Sequence, residues 1–310
     1  MCPRPVKRRG SVRAAAGYTY DITEHGMHDA AHIAAERARY AGAYLARWER
    51  MLAGWERPAR PAMGWLMYAA NYLFVTHGVR WAVDPLRPNL RVRDLPTPVP
   101  TAPLAQLDFV LLTHDHGDHV DLPLLATLRG TTTRLVVPEA LLDRVRAGAQ
   151  PDERQLIVAR PGERLDLAGV GVLPFTGWHY DTLPNGQRTG VPATGYAVTV
   201  GGERWLFPGD VRDYTAASLA PFAPADRLFA HLWLGRGAAE LPTPPLGDAF
   251  CRFLLTAAPR AVVLTHLYEF SRPPSDLWSR RHAAWVQARW AALAGGVPLL
   301  VPELGEEIAR

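Results

Sequence analysis

At positions 113–119 the chain reads Thr-His-Asp-His-Gly-Asp-His, so that His114, His116, Asp118 and His119 crowd into one short stretch. Neutral imidazoles together with ionised carboxylates are the donors that borderline divalent cations take up. Cations held this way lower the pKa of bound water towards neutrality and so supply a nucleophile for hydrolysis. The bland alternative is a solvated polar turn. With 11 histidines in 310 residues, three within six positions exceed what an ordinary turn provides, and the metal reading leads.

The spacing supports two cations rather than one. Phe109-Val110-Leu111-Leu112 precedes the motif and reads as a buried strand. His114 and His116 lie two apart, so in extended chain their side chains emerge on the same side and can grip one ion. Asp118 and His119 can turn towards a second, with Gly117 expected to permit a bend that a β-carbon would obstruct. These residues cannot complete two sites, and three later segments repeat the same grammar of apolar strand, turn and donor. His179 follows the run ending at Phe175, Asp210 follows Trp205-Leu206-Phe207-Pro208-Gly209, and His266 follows Val262-Val263-Leu264-Thr265. Donors from separate strand ends meeting on one edge are what a rigid cleft requires. Rivals exist at each position. A hydrogen-bonded structural histidine is the alternative for His179 between Trp178 and Tyr180, Asp181 is a competing ligand or acceptor, and Asp213 competes with Asp210. Asp84 reads as an acceptor behind a ligand, or a strand cap.

His-x-His-x-Asp-His at 114–119, His179, Asp210 in Pro-Gly-Asp and His266 in Leu-Thr-His, in that order, resemble the ligand motifs of the metallo-β-lactamase-fold hydrolases. The resemblance covers residues 65–301, and Asn71 and Asp84-Pro85 look like the opening hairpin of that family. Within it the chain is most similar to the ascorbate-6-phosphate-lactonase-like and N-acylphosphatidylethanolamine phospholipase D-like branches, on its Asp-Pro hairpin end and on Leu232-Trp233-Leu234-Gly235-Arg236-Gly237. The resemblance implies an α/β fold, an αβ/βα four-layer sandwich of two face-to-face mixed β-sheets flanked by helices. It also implies two divalent metal ions, zinc first and manganese or iron as alternatives. His114, His116 and His179 would hold the first ion, Asp118, His119 and His266 the second, and Asp210 would bridge them.

Further roles follow on that reading. Asp118 is a candidate to orient the nucleophile or take its proton, and His231, at the end of its own strand, to contact substrate or protonate a leaving group. A core histidine is the alternative for His231. Arg236 is a candidate for binding a phosphate or carboxylate, with Tyr180 and Tyr268 as pocket walls. The expected activity is a dinuclear metal-dependent hydrolysis of a small-molecule phosphoester, lactone or amide. A non-haem iron oxidoreductase or dioxygenase on the same fold, a nuclease and a non-catalytic binding protein are the competing classes.

The elements that must position these groups are legible in the apolar pattern. Ala41, Tyr44, Leu45, Trp48, Met51, Leu52 and Trp55 recur at three- and four-residue steps, which predicts an amphipathic helix over 27–55 ended by Pro58 and Pro61. Strands are predicted at 65–75, 79–83, 109–113, 134–137, 155–159, 170–175, 195–200, 204–207, 227–232 and 261–265. Helices are predicted at 121–128, with Asp121 as N-cap, and at 139–146, 246–257 and 276–293. Six prolines over 85–103 predict a long irregular loop. The expected organisation is a frayed basic tail (1–20), an N-terminal helical extension (21–60) and a hydrolase domain (61–310).

Bulk properties narrow the partners. A net charge of +4 would suit nucleic acid, yet every basic residue but Lys7 is an arginine, and only the N-terminal ones cluster. That is a composition bias rather than a binding stripe, and no nucleic acid is expected. Cys2 and Cys251 are too few for a disulfide framework. No apolar run is long enough to span a membrane. A cytoplasmic enzyme with a small-molecule substrate is expected, and a homo-oligomer is compatible with it.

Overall fold

The computed structural model describes residues 11–13, 19–21, 30–92, 95, 98–183, 185–239 and 246–308. Most of the expected basic tail therefore lies outside the described residues, though Ser11–Arg13 and Thr19–Asp21 pair as a small antiparallel ladder. Helix α1 (Ala30–Glu56) forms where the three- and four-residue repeat predicts it, and buries Tyr40, Tyr44, Trp48, Met51, Leu52 and Trp55 along one face. Each indole in that face finds an acceptor: Trp55 donates to the Phe74 carbonyl at 2.9 Å and Trp48 to the Pro100 carbonyl at 2.7 Å. Tyr40 and Arg37 reach Phe270, so α1 buttresses the loop that follows His266.

The run predicted as one strand over 65–75 folds as two, β1 (Ala62–Leu66) and β2 (Tyr72–Thr76). A turn interrupts it because the Asn71 carbonyl accepts the Met67 amide at 2.7 Å. His77 and Gly78 take φ of 49° and 87°, the left-handed pair that lets a two-residue hairpin match strand twist. Strand β3 (Val79–Val83) then returns antiparallel to β2, and β4 (Phe109–Leu111), β5 (Arg134–Pro138) and β6 (Leu156–Ala159) add in parallel. Helices α2 (Leu122–Thr127) and α3 (Leu142–Ala149) carry the parallel crossovers.

The second sheet repeats this plan. Strands β7 (Leu165–Leu167), β8 (Val170–Thr176), β9 (Thr194–Val200) and β10 (Glu203–Phe207) form an antiparallel meander, and β11 (Arg227–His231), β12 (Val262–Thr265) and β13 (Leu299–Leu300) follow in parallel. Helix α4 (Leu246–Leu255) connects β11 to β12, and α5 (Arg280–Leu293) connects β12 to β13. The last helix starts four residues later than predicted, at a capping box in which the His282 ring accepts the Ser279 amide. Short β7 and β13 were not visible in the apolar pattern.

Aromatic rings fill the space between the sheets. Phe74 of the first sheet meets Trp205, Phe207 and Phe229 of the second at centroid separations of 5.4, 5.6 and 5.5 Å. Each such fully buried ring contributes about 2–3 kcal/mol by leaving water. This slab fixes the two sheets relative to one another, and with them the strand ends that carry the predicted ligands.

Candidate metal centre

The donor-bearing segments leave their strands at carboxyl ends: 113–119 after β4, His179 after β8, Asp210 after β10 and His266 after β12. The first sheet grips the second there, since Thr194 N donates to the Thr113 carbonyl at 2.9 Å. The 113–119 motif is a compact turn. Amides of His119 and Val120 donate to the His116 carbonyl at 3.0 and 3.1 Å, and the chain runs on into α2, whose N-cap Asp121 accepts from Leu124. Gly117 has no left-handed φ, so the expected reason for a glycine there is corrected: a Cβ would approach the Arg91 guanidinium at 3.1 Å.

Buried acceptors orient the rings. Asp84, at φ 46°, takes the Thr113 amide at 2.7 Å, the Thr113 hydroxyl at 2.5 Å and the His119 Nδ1 proton at 2.7 Å. Thr113 Oγ1 in turn lies 2.9 Å from His114 Nδ1. The Leu232 carbonyl lies 3.3 Å from His266 Nδ1. Each contact reserves the opposite nitrogen, Nε2, for the centre. His179 differs: the Val191 amide lies 3.2 Å from its Nδ1, so accepting a cation on Nε2 requires the ring proton to shift to Nδ1 and that bond to break. Asn71 Nδ2 ties the Asp84 and Asp118 carbonyls at 2.6 and 2.8 Å, joining the hairpin to the motif. His266 itself sits at φ 68°, a conformation rare for a side chain with a Cβ and held against its strain by surrounding contacts.

Four overlapping donor groups result; two, Asp84 with His114 and His119, and His119 with Asp210 and His231, join acceptors behind the rings, and the other two hold the predicted ligands. His114, His116, His179 and Asp210 place one ligand atom each within 4.8 Å of one another, and so do Asp118, His119 and His266. Asp210 Oδ2 lies 3.8 Å from both His114 Nε2 and His266 Nε2, so one carboxylate faces both groups. Electrostatics differ between them. Burial, with His119 and Arg212 nearby, pushes His116 down to about 4, and burial beside Arg212 and His116 takes His179 to about 3. Both rings are neutral at pH 7. Burial also opposes charge on His119, yet Asp210, Asp118 and Asp84 hold its pKa well above the ordinary value. The carboxylate field that keeps a proton there is one a cation would answer.

Above the first group opens a cleft of about 390 Å³ lined by His116, Thr189, Trp233, Arg212, Arg236 and Arg272 among others. Arg236 lines this cleft, and it also pairs with Asp181 at 3.2 Å. That pairing, with Thr189 and Arg212, accounts for Asp181, which is not among the ligand groups. Asp213 caps its own turn through Thr215 and Ala216. Neither predicted wall lines the cleft. Arg188 stacks on Tyr180 at 3.9 Å, in a separate lateral groove with Trp178. Tyr268, at φ 57°, turns towards α1 beside Phe270 and Glu36. His231 is buried below the centre, 2.8 Å from Asp210 Oδ1 and 3.0 Å from the Tyr72 hydroxyl, which itself meets Thr265. With both nitrogens engaged away from the cleft, the expected contact with substrate is not what the structure places there. Sequence reading missed Arg212 and Arg272. The only signal was proximity, two residues past Asp210 and six past His266.

Two facing mixed sheets, helices outside and a His/Asp cluster at the strand ends constitute a metallo-β-lactamase fold. A family model described as the beta-lactamase superfamily domain matches residues 81–267, more than half of the chain, and the chain belongs to that superfamily. No curated protein matches it. Among solved structures it is similar to Igni18, a metallo hydrolase from Ignicoccus hospitalis, with TM-score 0.57 and 19% identity over 80% of this chain and 98% of that one. An isothiocyanate hydrolase from Delia radicum gut bacteria gives 0.55 and 18% over 80% and 98%. CmlA, a diiron β-hydroxylase from Streptomyces venezuelae, gives 0.54 and 18% over 82% of this chain and 54% of that one. At these identities the likeness is one of fold.

The residues present fit the metals such a fold implies. His119 Nε2, 3.5 Å from Asp210 Oδ1, and His179 Nε2 are buried without a hydrogen-bond partner, and both residues belong to the donor groups. Buried polar atoms left unpaired are costly unless something completes them.

Proposed function

We propose that the protein is a dinuclear metal-dependent hydrolase of a small molecule, cleaving a phosphoester, lactone or amide. The observation that carries this reading is the meeting of two donor groups at one carboxylate, Asp210, beneath an open cleft. His114, His116 and His179 would hold one ion, Asp118, His119 and His266 the other, with zinc as the first candidate. When bound, the ions lower the pKa of water and offset charge developing on the attacked group. Asp118 orients the nucleophile. His231 acts through Asp210, holding its carboxylate in place with Tyr72 behind it. The arginines favour a substrate with an anionic group: Arg236 is half-exposed, while Arg212 and Arg272 side chains are 8% and 15% exposed and so act in a poorly screened environment. A small-molecule substrate suits the cleft, and no described helix is long and apolar enough to cross a membrane.

Protein purified without added metal, analysed for its elements, then assayed after zinc loading against phosphodiesters, phosphomonoesters, lactones and amides tests this. About two equivalents of metal and a hydrolysis lost in His116→Ala are expected. A protein that binds no metal, or hydrolysis equal in His116→Ala, would sink the reading. Iron bound in place of zinc would transfer support to the oxidoreductase class.

A further inference from the structure

Arg272 reaches into the second donor group from the loop after β12. Its Nη2 donates to Asp118 Oδ2 at 2.8 Å and stands 3.9 Å from Asp210 Oδ2. Which oxygen it takes matters. Asp118 Oδ2 is the oxygen turned towards His266 Nε2, at 3.5 Å, and His119 Nε2, at 3.9 Å. A cation held through that oxygen by Asp118, with His119 and His266, would share it with a guanidinium. An arginine that merely braced the carboxylate from behind would take the other oxygen, and would not also approach the second acid. Arg272 is largely buried, so repulsion between its charge and a divalent ion is poorly screened. Arg212 lies near His116 and His179, but among the described residues no arginine is hydrogen-bonded to His114, His116 or His179.

Resting on the dinuclear reading, we propose that Arg272 makes the two cation positions unequal. It competes with the second cation for Asp118, so the first ion binds tightly and the second weakly until the guanidinium swings into the cleft that it also lines. The second position is thereby conditional: anything that draws Arg272 outward, such as an anionic ligand in the cleft, favours its filling.

Zinc titrations of metal-stripped wild type, Arg272→Met and Arg272→Lys test this, with bound zinc counted by elemental analysis at buffered free zinc. The second equivalent of wild type is expected to bind about tenfold or more weaker than the first. Arg272→Met should tighten it about tenfold and move the first, which the guanidinium reaches only through Asp210, by far less, while Arg272→Lys, which keeps the charge, should leave it weak. A first equivalent that still binds tightly also reports that the variant is folded around the site; Arg272→Gln repeats the measurement should the methionine variant lose it. His266→Ala on the Arg272→Met background should abolish the tightened equivalent. A second equivalent unchanged or weakened in both Arg272→Met and Arg272→Gln overturns this inference alone, since the guanidinium would then be a brace. A wild type that binds not even one equivalent overturns the dinuclear reading and this inference with it.

Discussion

The two halves of the centre use the same chemistry in opposite electrostatic settings. His114, His116 and His179 are neutral rings around one face of Asp210, and His116 is only partly buried at the cleft floor. Asp118, His119 and His266 are all buried, and the Asp118 carboxylate already has positive partners in Arg272 and in the proton drawn onto His119. A half-site of neutral rings waits for its charge. A half-site with buried carboxylates must have that charge supplied in the metal-free protein, because unpaired buried carboxylates are too costly to leave. The first half can therefore be open and the second must be guarded.

Removing the carboxylate common to both halves should erase the difference. Asp210→Ala is expected to lose the second zinc equivalent, weaken the first and reduce hydrolysis to background, with the zinc-dependent rise in Tm reduced as well. His266→Ala should remove the second equivalent only; equal loss in both variants would show the halves to be one site. Next in size is Asp84→Asn. Asp84 collects three hydrogen bonds and touches His119 without facing the cleft, and loss of such a supporting acceptor typically costs 10–100-fold in metal affinity. Read by zinc titration, the expected loss is about 30-fold in the second equivalent, whose His119 Asp84 contacts directly, and smaller in the first, whose His114 it reaches only through Thr113.

What the sequence disclosed follows the same division. The 113–119 cluster is dense in residues that are rare elsewhere, and His179, Asp210 and His266 each stand after an apolar run, so the donors that the fold brings together could be read from type and spacing. Paired sheets were legible for the same reason: runs such as Phe109–Leu111 and Val262–Thr265 are buried throughout. The guard was not legible. In a chain whose basic residues are arginine almost without exception, Arg272 and Arg212 look like any others. Tyr268 misled because nearness along the chain to His266 suggested nearness in space. His266 and Tyr268 both sit at left-handed φ, and the backbone there turns the tyrosine towards α1. The role of Asn71 depended on a turn at 67–71 that an unbroken apolar run conceals.

Smaller effects sharpen the contrast from the cleft side. Gly190 has φ 116°, and a Cβ there would strike the His179 carbonyl and come 2.9 Å from Tyr180 Cα. Gly190→Ala should therefore disturb only the first half, lowering stability by ~2 kcal/mol and weakening the first zinc equivalent while Asp118, His119 and His266 keep their geometry. A variant with unaltered zinc binding would show that His179 does not depend on this close approach. Least of all should metal binding respond to Arg236→Gln. Arg236 touches Asp181 and Thr189 but no ligand of either half, so both zinc equivalents should bind as in wild type. Its loss should appear in KM for anionic substrates, raised about tenfold as one charged hydrogen bond is removed, with kcat and the KM of neutral substrates nearly unchanged. The contrast with Arg272 is then between two arginines of one cleft: one felt by the metals and one felt only by the substrate. A zinc affinity that moves with Arg236→Gln would mean that the charge of the cleft acts as a single field, and the guard could no longer be assigned to Arg272 alone.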